Sequence, residues 1–110
     1  MIMNLHDKLL QKHNENVIKS FQKTYPEVYE WFQGESFEQT ITKASSVSIR
    51  AYKILRDPLR KEYSTGLPIK DSNGIVDLDD IVEYLKAEGF VAYIGSEYVD
   101  TKDLMIRFSK

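Results

Sequence analysis

Residues 36–63 read SFEQTITKASSVSIRAYKILRDPLRKEY, and at about 100° per residue this stretch sorts its side chains by face. Ala44, Val47, Ala51, Ile54 and Leu55 fall on one side of a helix. Arg50, Lys53, Arg56 and Arg60 fall on the other. Ser36, with Gln39 three residues on, has the form of a capping box. The spacing therefore predicts a helix from Ser36 to about Arg56, greasy inward and cationic outward.

The same arrangement precedes it. Lys8, Lys12, Lys19 and Lys23 form a lysine stripe opposite Leu9, Leu10, Val17 and Phe21, which predicts a first helix over Asn4–Thr24. It stops before Pro26, because proline disfavours helical geometry in the residue ahead of it. Pro26 then opens a short helix to Phe32, closed by Gly34. Asp57-Pro58 predicts a further short helix over 58–64, broken by Gly66-Leu67-Pro68.

Downstream the character changes. Gly74 to Asp77 reads as a short strand leading into a helix capped by Asp77 and stopped by Gly89. Phe90–Ile94 and Leu104–Phe108 read as strands, the second alternating Leu104, Ile106 and Phe108 with Met105, Arg107 and Ser109. A bulge is expected at Gly95. The expected fold class is α+β in a single domain over 1–110. A helical head of three or four helices (1–65) packs with a βαββ unit (67–110) that ends in a β-hairpin.

Composition narrows function further. Hydrophobic residues make up 42% and charged residues 29%, which fits a globular chain and not a disordered one. The absence of cysteine removes disulfides, thiolate catalysis and cysteine metal sites together. The first residues lack the apolar run of a signal peptide, and no membrane-spanning segment is present, so a cytoplasmic location is expected. The abundance of Lys, Ile, Asn and Tyr associates with low-GC bacterial or phage genomes. The net charge of −2 conceals a partition into +2 (1–26), −4 (27–42), +5 (43–61) and −5 (62–110). Alternating blocks favour specific electrostatic docking over indiscriminate polyanion binding.

Motifs that carry chemistry are scarce. His6 and His13 share a helix face, but seven residues is about 10 Å of rise, too far for one ion to bridge. They read as packed or interface histidines. Asp71 to Asp80 resembles the second half of an EF-hand loop, with Gly74 at the sharp turn and Asp80 at the last ligand position. Ile69 stands at the first ligand position, where it offers no donor, so an Asp-rich turn and helix cap is expected instead. No GxSxG, Walker A, GxGxxG or paired-histidine arrangement points to catalysis. Neither cofactor nor metal is expected.

The segment from Ile49 to Tyr63 resembles the end of a J-domain, the Hsp70 co-chaperone module, through Ala51-Tyr52, Leu55 and Asp57-Pro58, with Tyr63 falling one residue early. That resemblance implies a third-helix ending and its turn. The His-Pro-Asp tripeptide required for Hsp70 stimulation is missing, Tyr25-Pro26-Glu27 being the near echo, so no such stimulation is implied.

The expected function is a small non-enzymatic regulatory or accessory protein, of phage or mobile-element type, that binds a protein partner with an acidic surface. The candidate contact residues are Arg50, Lys53, Arg56, Arg60, Lys8, Lys12, Lys19 and Lys23, with Trp31 from the aromatic group Tyr25–Phe37. The alternative is nucleic-acid binding through the same bases. Self-association between oppositely charged segments is a further option.

Overall fold

A computed structural model of the chain describes residues 4–52, 62–63, 65–72, 74–97 and 101–108, with backbone alone for residues 50–52, 96–97 and 101–102. The first helix, α1 (Leu5–Thr24), is capped by Asn4, whose side chain accepts the Asp7 N–H at 2.9 Å. Pro26 opens α2 (Pro26–Gln33) as expected. The N-cap residue of α2, Tyr25, supplies no side-chain bond. The Val28 N–H donates instead to Asp71 Oδ2 at 2.9 Å, from 43 residues away in sequence. Asp71 is buried, and its Oδ1 accepts both the N–H and the hydroxyl of Ser72 at 2.6 and 3.0 Å. A buried carboxylate thus finds its donors at a helix N-terminus, where the orphan N–H groups favour negative charge.

The long helix expected over 36–56 is not formed. α3 (Glu35–Ala44) begins at Gly34, not at a Ser36 cap, and ends at Ala44. Ser45 is left-handed, with φ of 60°, and its N–H returns to the Ile41 carbonyl at 2.9 Å. A strand follows, β1 (Ser46–Tyr52). The local reason is period two: β-branched Val47 and Ile49 alternate with Ser46 and Ser48. The tertiary reason is a waiting partner strand, β5 (Thr101–Arg107), which pairs Val47 with Ile106 and Ile49 with Leu104. The Ser45 carbonyl accepts the Phe108 N–H at 2.9 Å, pinning the switch from helix to strand.

The short helix expected over 58–64 is also corrected where it is described. Glu62 forms an antiparallel bridge with Pro68, and the Tyr63 N–H donates to the Leu67 carbonyl. Beyond this turn come two strands of two residues each, β2 (Lys70–Asp71) and β3 (Gly74–Ile75), paired as a hairpin. Gly74 has φ of 121°, the left-handed region the turn requires. α4 (Leu78–Ala87) is capped by Asp77, which accepts the Asp79 N–H at 2.9 Å, and Gly89 stops it with φ of 99°. β4 (Val91–Glu97) then pairs with β5, and their register shifts between Ile94 and Glu97. Gly95 sits at that irregularity, where an added Cβ would come 2.9 Å from Met105 Cγ.

The main sheet has the order β1-β5-β4, all antiparallel. Its third strand therefore comes from the helical half of the chain, whereas the strand expected near Gly74 joins the separate β2–β3 hairpin. One sheet face carries Val47, Ile49, Ala92, Leu104 and Ile106, all buried. α3 and α4 pack toward it, with Phe37, Ile41, Ile81 and Leu85 in the same core. The α+β class, with N-terminal helices packed against a C-terminal hairpin, is as expected.

Two stability measurements check these local assignments. Ser45→Gly is expected to raise stability by about 0.5–1 kcal/mol, because glycine relieves the left-handed strain; mid-helix it would lower stability by a similar amount. Asp71→Ala is expected to cost about 1–3 kcal/mol in urea denaturation, since it strands the buried Val28 N–H.

Candidate protein-docking surface

Tyr84 of α4 joins three helices. Its ring stacks on Phe21 of α1, with centroids 4.3 Å apart and planes at 8°, and it meets Tyr29 and Phe32 of α2 edgewise or tilted at 5.7 and 5.9 Å. Its hydroxyl donates to Glu88 Oε2 and accepts from Gln33 Nε2, both at 2.8 Å. One turn further along α1, the Tyr25 hydroxyl donates to Asp80 Oδ2 at 2.7 Å. These contacts pair Tyr25 with Asp80 and Phe21 with Tyr84, so α4 runs antiparallel to the C-terminal half of α1.

The lengths do not match. α1 has 20 residues and spans about 30 Å; α4 has 10 and spans about 15 Å. Gly89 turns the chain away into β4, and the N-terminal half of α1 runs past the end of its neighbour. The principal extents are 50 × 30 × 28 Å, and the Cα radius of gyration is 14.8 Å. About 13 Å is usual for a compact domain of this length.

Leu5, Leu9 and Leu10 are consequently 71%, 54% and 47% exposed. The expectation that Leu9 and Leu10 face the core is corrected here; Phe21 is the one α1 side chain fully buried, with Val17 and Ile18 partly so. Leu5 and Leu9 form a shallow trough edged by Lys8, Lys12 and Glu15. Covering these three exposed leucines is worth on the order of 3 kcal/mol, enough to support a contact. The same face continues into a groove of about 330 Å³ between α1 and α4, lined by His13, Asn16, Val17 and Ser20 on one side and by Asp80 and Glu83 on the other.

The residues expected to make contacts divide into three groups. Lys8, Lys12, Lys19 and Lys23 are exposed along α1. Arg50 stands in β1, opposite Asp103 of β5, and so is not part of a cationic helix face. Lys53, Arg56 and Arg60 lie outside the described residues. The segment resembling a J-domain ending is strand, not helix, over residues 49–52, and its residues 53–61 lie outside the described residues. Trp31 is partly buried, perpendicular to Phe32 at 5.0 Å; Tyr25, Phe32 and Phe37 of its aromatic group are core. His6 is exposed beside Asp7, and His13 lines the groove.

In the EF-hand-like segment, Asp71 caps α2 and Asp77 caps α4. Among the described residues no three His, Asp or Glu side chains converge as metal ligands, and no helix is long and apolar enough to cross a membrane. The leucine trough and the acidic groove wall are not legible in any single segment of the sequence. Their signal lay in the unequal helix lengths and in the i, i+3 spacing of Asp80 and Glu83.

Set beside models of protein families, curated proteins and solved structures, the chain has no match.

Burial first, and then the hydrogen bond to Glu88, push the Tyr84 hydroxyl well above the ordinary tyrosine range. Burial also raises Tyr63, and burial with the Asp80 hydrogen bond raises Tyr25. All three shifts are upward, so the stability they contribute is complete below about pH 10. Above that the unfolded chain releases protons that the folded one retains, and stability declines as pH climbs. Urea midpoints are accordingly expected to fall above about pH 10. Tyr84→Phe should cost about 1 kcal/mol at neutral pH and flatten that alkaline decline.

Proposed function

We propose that the protein is a non-enzymatic binding module that docks a protein partner along the uncovered face of α1. The supporting observation is the overhang itself, where Leu5, Leu9 and Leu10 are exposed on a helix whose other half is locked to α4. Its chemistry specifies the partner surface. The leucines ask for an apolar strip, and Lys8 and Lys12 on the flank ask for carboxylates beside it. Regulatory and accessory proteins work in this way, through complementarity and without a reaction.

Photo-crosslinking tests the proposal in the cell that makes the protein. A benzophenone-bearing residue at Leu9 is expected to give a discrete protein adduct, and one at Gln22, exposed on the opposite side of α1, is expected to give none. Lys8→Glu with Lys12→Glu should reduce the yield several-fold. No adduct at Leu9, or equal adducts at both positions, would overturn the reading. A nucleic-acid mobility shift that weakens steeply with salt and vanishes in the double lysine variant would replace it with polyanion binding.

A further inference from the structure

We draw no further inference here: the strongest candidate, the uncovered apolar face of α1 with the groove it leads into between α1 and α4, belongs to the docking surface already described, and nothing in the structure shows what covers it.

Discussion

The face-to-face contact between Phe21 and Tyr84 organises this molecule. Tyr84 is 1% exposed, and its ring touches α1 and α2 while its hydroxyl bridges Gln33 and Glu88. A polar tip this deep is tolerated because both of its hydrogen bonds are made. Once the stack has set α4 against the second half of α1, the placement of everything else on that side follows. Tyr25 reaches Asp80, α2 closes over the rings, and the chain leaves at Gly89 for the sheet.

The bare half of α1 is a consequence of the same contact. A helix of 20 residues anchored by its C-terminal turns to a helix of 10 must project. The projecting half retains an apolar face, which for an isolated helix in water is an expense without a return. The projecting face leads into a groove whose far side carries Asp80 and Glu83.

Local chemistry announced much of the fold. Asn4, Pro26, Gly34, Asp77 and Gly89 each mark a helix boundary through capping or backbone conformation, and each stands at the boundary it marks. The failure came at residues 46–52, whose apolar positions satisfy two periods at once. Val47 and Ala51 suit a helix; Val47, Ile49 and Ala51 suit a strand. Ile49 was the discriminating residue, because a helix would set it among the arginines, whereas in the strand it is fully buried against Leu104. The preference was decided by β5, more than fifty residues downstream, which no local pattern contains. Asp71 is similar: its role as the cap of α2 depends on a contact across 43 residues. The lysines of α1 were legible as a surface stripe. The exposure of Leu5, Leu9 and Leu10 was not, since it depends on where a different helix stops.

Backbone amide exchange along α1 in dilute solution probes the half-covered helix most directly. Amides between Val17 and Thr24 should be strongly protected, and those between Leu5 and His13 should exchange fast. Uniform protection from end to end would contradict the account, because it would mean that the first half of α1 is already covered within a single molecule.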